Sequence, residues 1–227
     1  MPPAVRRRRA AARLGGMLLL GGLSACAGLG QPAPYDSPGI NGLEIPTPSP
    51  APGDFVDTVD NPWLALEPGA AWHYDVTEGG RTLGTIDAEV LDTTSDVAGL
   101  TATAVRTVTD LDGDDRDVEE TRFYAQDDDG NVWLVGLDQL PGISWRAGEG
   151  NAQAGLAMPA EPRLGDGWLT YRLADLREAS TTVEDQSREM VQTRDEADTS
   201  TRNVYESGVG LVSVEDLDAG WQAVLDD

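Results

Sequence analysis

The chain has 227 residues, 40 of them acidic against 16 basic, and a formal net charge of −24. A field of that sign repels nucleic-acid phosphates, which excludes a nucleic-acid binder and favours solubility, cations or basic partners. All the positive charge is arginine, and the one cysteine, Cys26, rules out an intramolecular disulfide.

Arg6, Arg7, Arg8, Arg9 and Arg13 precede or open an apolar core running from Leu14 to Leu23, which small residues follow. That order is a secretory signal. At about ten residues the apolar run is roughly half of what spans a bilayer, so no transmembrane helix is expected. The stretch Leu23-Ser24-Ala25-Cys26 resembles the bacterial lipobox. The resemblance implies cleavage before Cys26, a diacylglycerol on its sulfur, and an exported protein anchored by lipid to the outer, extracytoplasmic face of the bacterial cell membrane. Two acyl chains hold stably where one is marginal. Losing residues 1–25 removes five arginines and no acid, so the mature chain carries −29. With its sulfur lipidated, Cys26 offers neither a metal ligand nor a thiol nucleophile.

From Ala27 to Gly53 the composition shifts to Gly, Pro and Ser, with seven prolines between Pro32 and Pro52. Such a segment buries too little apolar surface to fold and reads as an extended tether. A proline-rich ligand for a partner domain is the alternative at Pro46-Thr47-Pro48-Ser49-Pro50. The chain thus divides into a signal peptide (1–25), a lipidated cysteine with its tether (26–53), and one β-rich globular domain (54–227).

Within that domain, Ala71 to Val76 alternates, with Trp72, Tyr74 and Val76 on one face and His73 and Asp75 on the other. Glu78-Gly79-Gly80 turns the chain into a second strand, Arg81 to Leu91, making a hairpin. Leu100 to Thr109 crowds β-branched residues and is expected as a strand, with Thr101, Thr103, Val105, Thr107 and Thr109 on one face. Val118 to Ala125 and Asn131 to Val135 pair across the turn signal Gln126-Asp127-Asp128-Asp129-Gly130. Beyond Gly136 the pattern loosens, and long loops with short strands are expected to cover the sheet. Thr181 to Thr199 has only Val183, Met190 and Val191 as sizeable apolar groups, so an exposed helix, a polar edge strand and a flexible loop all fit. Arg202 to Glu206 and Gly210 to Val214 form a last hairpin, and Trp221 with Val224 and Leu225 is placed to close the sheet.

The aspartate runs fail as EF-hands. Counting from Asp110 puts Asp112 and Asp114 at ligand positions, but Asp115 where Gly is required and Thr121 where a bidentate Glu belongs. Counting from Asp127 puts Asn131 and Val132 at positions five and six. Weak surface binding of Ca²⁺ stays open beside the simpler reading of Asx turns. His73 is the only histidine, with Asp75 two residues along as a partner that could orient it. No serine sits in a nucleophile elbow, and Ser144, Ser207 and Ser213 have no activating context, so His73 is read as a strand residue. Six tryptophans against two phenylalanines suggest either sugar platforms or core, and Trp72 and Trp133, in alternating strands, favour core. Trp168 belongs to the same question.

Three stretches together carry a resemblance. They are Asp60-Asn61-Pro62-Trp63-Leu64 with Leu66-Glu67-Pro68-Gly69, Tyr124-Ala125-Gln126-Asp127 with Gly130-Asn131-Val132-Trp133, and Met158-Pro159-Ala160. With Ser144-Trp145, Gly165-Asp166 and Tyr205 they resemble a group of secreted and lipid-anchored bacterial proteins of unknown function, over most of Phe55 to Val214. The resemblance implies kinship and no reaction. Leu173 to Thr199 departs from it, as does Gly136-Leu137-Asp138, where an acid commonly follows the glycine directly.

The expectation is a mainly β, single antiparallel domain, built as a curved sheet or as a partial barrel or sandwich with long covering loops. Its expected role is a non-enzymatic ligand- or partner-binding module of the cell envelope. The alternatives are a carboxylate-dependent hydrolase of envelope or extracellular carbohydrate and a carrier of a lipid or other apolar ligand. No catalytic residue, metal site or cofactor is assigned, and the lipid on Cys26 is the membrane contact. Oligomeric state stays open.

Overall fold

The computed structural model describes residues 52–112, 118–140, 142–174 and 178–226. The leader, Cys26, nearly all of the tether, and Asp114 and Asp115 lie outside the described residues. Seventeen strands are formed, and no α-helix occurs among the described residues.

Three short strands come first: β1 (Phe55–Val56), β2 (Asp60–Asn61) and β3 (Leu64–Ala65). The long hairpin follows as β4 (Ala71–Glu78) and β5 (Arg81–Val90), then β6 (Ser95–Val97), β7 (Leu100–Leu111), β8 (Val118–Asp127) and β9 (Val132–Leu140). Next come β10 (Ser144–Arg146), β11 (Gln153–Met158), β12 (Gly167–Arg172) and β13 (Ala179–Gln186). The chain finishes with β14 (Met190–Glu196), β15 (Ser200–Glu206), β16 (Gly210–Asp216) and β17 (Trp221–Leu225).

Twelve of these close a barrel. Each antiparallel neighbour follows the last in the chain, running β4, β5, β7, β8, β9 and then β11 through β17, and β17 returns to β4 with Ala223 opposite Val76. The sheet is therefore not partial: β8 also pairs β9 from Glu119↔Leu140 to Gln126↔Val132, which completes the ring. Closure removes the sheet edges that an open form of this acidic meander would expose. The segment expected to cover the sheet, beyond Gly136, instead supplies wall in β9, β11 and β12.

Thr181 to Thr199 also becomes wall, as β13 and β14, with Thr181↔Asp195 and Val183↔Thr193 in register. The pattern test is indecisive there because it assumes an apolar inner face. Here that face carries Thr181, Val183, Val191, Thr193 and Asp195, and the register brings them to one side.

One end of the barrel is stoppered. Val59, Trp63 and Leu66 pack among Val90, Val132, Met158, Val183 and Val191, side chains drawn from β5, β9, β11, β13 and β14. The β2–β3 segment thus lies across that end, and Gly208 N–H donates to the Pro62 carbonyl at 2.7 Å from the β15–β16 turn. A second cluster lies on the outer face of β7 to β9, where Ala104 is opposite Phe123 and Ala125 opposite Trp133. Val97 and Leu100 cover it together with Phe55, and the Arg146 guanidinium stacks on the Phe123 ring at 3.8 Å. Gly155 is required where β11 meets β12, since a Cβ there would lie 2.2 Å from the Leu169 carbonyl oxygen.

Candidate functional site in the barrel lumen

Eight strands make a barrel just wide enough to fill with side chains, and twelve leave more room. On β8 the alternation sends Glu120, Arg122 and Tyr124 inward, each opposite an inward residue of β7: Thr107, Val105 and Thr103. Arg122 stands at an inward position of β8, yet 51% of its side-chain surface is open to solvent. Solvent therefore reaches the guanidinium on the inner side of the wall.

Two kinds of wall face that interior. On one side, Tyr74, Val76, Ile86, Val214 and Ala223 form an apolar surface from β4, β5, β16 and β17. Tyr74 donates its hydroxyl proton to the Leu211 carbonyl at 2.9 Å, and burial pushes its pKa up to about 12. The other side is polar. Arg122 Nε meets Glu120 Oε1 at 2.5 Å, and the Glu120 charge, opposed by burial, holds the guanidinium still more firmly protonated. The Tyr124 hydroxyl lies against the same guanidinium.

From β14, Asp195 reaches the same region. Its carboxylate accepts Asn203 Nδ2–H at 2.8 Å and a longer bond from Thr193 Oγ1 at 3.4 Å. Burial pushes its pKa up, and the Thr181 hydroxyl, Arg122 and those two donors hold it partly back. Burial likewise raises Tyr205, Tyr124 and Tyr171, so their hydroxyls stay neutral. Among the described residues Asp195 has no ion pair of its own. Among the described residues the lumen thus presents an arginine paired with Glu120, the carboxylate of Asp195 and several phenols, beside an apolar wall.

The residues carrying the motif resemblance converge elsewhere, at the stoppered end. The Gln126 side-chain oxygen accepts the N–H groups of Asp60 and Asn61, both at 2.9 Å. Asn61 Nδ2 donates to the Gly130 and Pro159 carbonyls at 2.9 and 3.1 Å, and its own oxygen accepts Trp63 N–H. Asp127 accepts Asn131 N–H and Trp133 Nε1–H at 2.8 Å each, and Asn131 Oδ1 takes Ala160 N–H. The three stretches are parts of one hydrogen-bonded latch that fixes the stopper. Spacing alone could not reveal this, since Asn61 and Pro159 are 98 residues apart.

Other candidates fall outside the lumen. His73 faces outward and bonds not Asp75 but its cross-strand neighbour Asp87, Nδ1 to Oδ1 at 2.6 Å. Asp75 contributes charge only. Asp127 is engaged in the latch as an Asx-type acceptor, and no group of three or more metal-ligating side chains gathers among the described residues. Ser144 bonds Asp138 at 2.5 Å on the outer side, and that carboxylate is already paired with Arg146. Trp133 is 2% exposed in the outer cluster, whereas Trp72 and Trp168 pack against the stopper. Lumen residues Arg122 and Asp195 escape sequence reading because charged side chains at alternating positions look the same whether they face water outside or inside.

No family model, no curated protein and no solved structure matches the chain.

Proposed function

We propose that this is a lipid-anchored protein of the bacterial cell envelope, held by Cys26 on the outer face of the membrane, that binds a small ligand in its barrel without transforming it. The observation that supports a binding role is Arg122: a guanidinium half open to solvent inside a closed wall. A barrel whose interior served stability alone would be filled with apolar side chains and would not bear the cost of a charge there. The lipobox and the proline-rich tether support the location, and the motif resemblance supports kinship with other exported bacterial proteins.

Native mass spectrometry of protein purified from its own cells tests the binding role. A retained small molecule, lost from an Arg122→Ala variant, is the expected result, and a bare polypeptide mass under conditions that keep the fold counts against it. Retention of a lipid would specify the role as a carrier. The anchor is tested apart from the lumen: palmitate should label the wild type and leave Cys26→Ala unlabelled.

A hydrolase is the second reading, favoured by Glu120 and Asp195 approaching one arginine within the lumen. Its carboxylates are already engaged, Glu120 by Arg122 and Asp195 by Asn203, and the buried Trp133 offers no sugar platform. Turnover of oligosaccharides that Asp195→Asn abolishes would favour it.

A further inference from the structure

Among the described residues the polar wall of the lumen carries more acid than base. From β8 it receives Glu120 and Arg122, paired at 2.5 Å, and from β14 it receives Asp195, whose hydrogen-bond partners Asn203, Thr193 and Thr181 are neutral and on which the Arg122 charge also acts. Glu120 and Asp195 thus act on one guanidinium, and acid exceeds base among these residues. Tyr205, opposite Val191 on the neighbouring β15, and Tyr124 on β8 face the same interior, and the Asp195 charge acts on both hydroxyls. On another part of the inner face, Ile86 and Val214 present partly exposed apolar surface.

Resting on the lumen-binding reading above, we infer that the ligand is a small cationic amphiphile. An alkyl- or aryl-ammonium head lies against Asp195 among the phenol rings, and its apolar body lies along Ile86 of β5 and Val214 of β16. Three independent arguments point to this class. A carboxylate held inside a protein is relieved of its desolvation by a cation more than by any neutral group. Aromatic faces attract ammonium groups through the ring quadrupole, the more so where water is excluded. The net charge of the whole chain draws cations toward the barrel and repels anions. A fatty acid, the obvious occupant for an arginine in an apolar barrel, would meet Glu120 already seated on Arg122 and the Asp195 charge beyond it.

Calorimetric titration of the full chain in about 0.15 M salt, where exposed charges are screened, compares three probes of equal chain length: octyltrimethylammonium, octanol and octanoate. The ammonium is expected to bind at least about tenfold more tightly than either of the others. Asp195→Asn should remove that advantage, while the outer-face variant Asp87→Asn leaves it intact, with circular dichroism showing both variants folded. Octanol or octanoate binding as tightly as the ammonium overturns the cation inference and leaves the lumen reading intact. Equal loss in Asp87→Asn places the cation on the outer surface and likewise overturns it. Failure of all three probes to bind overturns both readings. Should Asp195→Asn fail to fold, the comparison of probes on the wild type decides alone.

Discussion

The side-chain oxygen of Gln126, near the end of one barrel strand, accepts the backbone N–H groups of both Asp60 and Asn61 at 2.9 Å. Its Nε2 returns a bond to the Asp60 carboxylate at 2.6 Å, so one amide fixes the segment that closes the barrel. Gln126→Ala leaves two backbone donors without a partner and is expected to cost about 2–4 kcal/mol. Chemical denaturation measures this directly. The replacement Gln126→Glu keeps the acceptor but sets a second carboxylate against Asp60, and it should recover less than half of the loss at neutral pH.

Asn61 supports the same closure from the other side. Asn61→Ala removes bonds to the Gly130 and Pro159 carbonyls and the acceptor of Trp63 N–H. Loss of about 2–3 kcal/mol is expected, with hydrogen exchange of Trp63 and Leu66 amides rising before that of the β4 to β9 wall. Uniform exchange across the wall would show that the stopper and the barrel open together.

Gly155→Ala tests the close approach of β11 to β12. A methyl there would lie 2.2 Å from the Leu169 carbonyl oxygen and 2.4 Å from the Thr170 carbonyl carbon, both backbone atoms that no rotamer change can move. Destabilisation of about 1–3 kcal/mol is expected. A neutral result in thermal unfolding would mean that the wall yields at this point.

His73 gives a clean titration because it is the only histidine. The Asp87 hydrogen bond, opposed by desolvation and helped by nearby Asp87, Asp75 and Asp226 charge, raises its pKa above 6.5. The raised value means that the folded state binds this proton more tightly than the unfolded state. The contribution is fully present below pH 6.5 and is lost as pH rises through the folded value. Proton NMR should show the elevated value in the wild type and a return toward 6.5 in Asp87→Asn.

Asp138 shows the opposite sign. Its hydrogen bond from Arg146, opposed by burial and reinforced by Ser144, lowers its pKa below 3.8. The stability it contributes is present above the unfolded value and disappears as pH falls through the folded one. Wild type should therefore exceed Asp138→Asn in stability at pH 6, and the advantage should shrink as pH falls below 3.8 and through the folded value. Arg146 is oriented by this pair, with Nη1 and Nη2 on the two Asp138 oxygens, so the variant should also loosen its stacking on Phe123.

Alternation made the strands from Trp72 to Val76 and from Leu100 to Thr109 legible in the sequence, because both have an apolar or β-branched face of period two. The same test was silent over Thr181 to Thr199, where the inner face is Thr181, Thr193 and Asp195 beside Val183 and Val191. A sequence pattern tells apolar from polar, and it registers inside from outside only when the inside is dry. The motif residues were legible as a set, but not as a latch: Asn61, Gln126 and Pro159 meet through pairings that local spacing does not encode.

By itself the sequence determined the acidic field and an antiparallel β domain, and it is the whole basis for the proposed export signal, lipobox cysteine and tether, since each of these is a property of composition or of near neighbours. Closure of twelve strands, the stopper across one end, and the meeting of Arg122 with Glu120 and Asp195 were decided by tertiary structure. These depend on how strands far apart in the chain choose registers together, and that choice belongs to the ring as a whole.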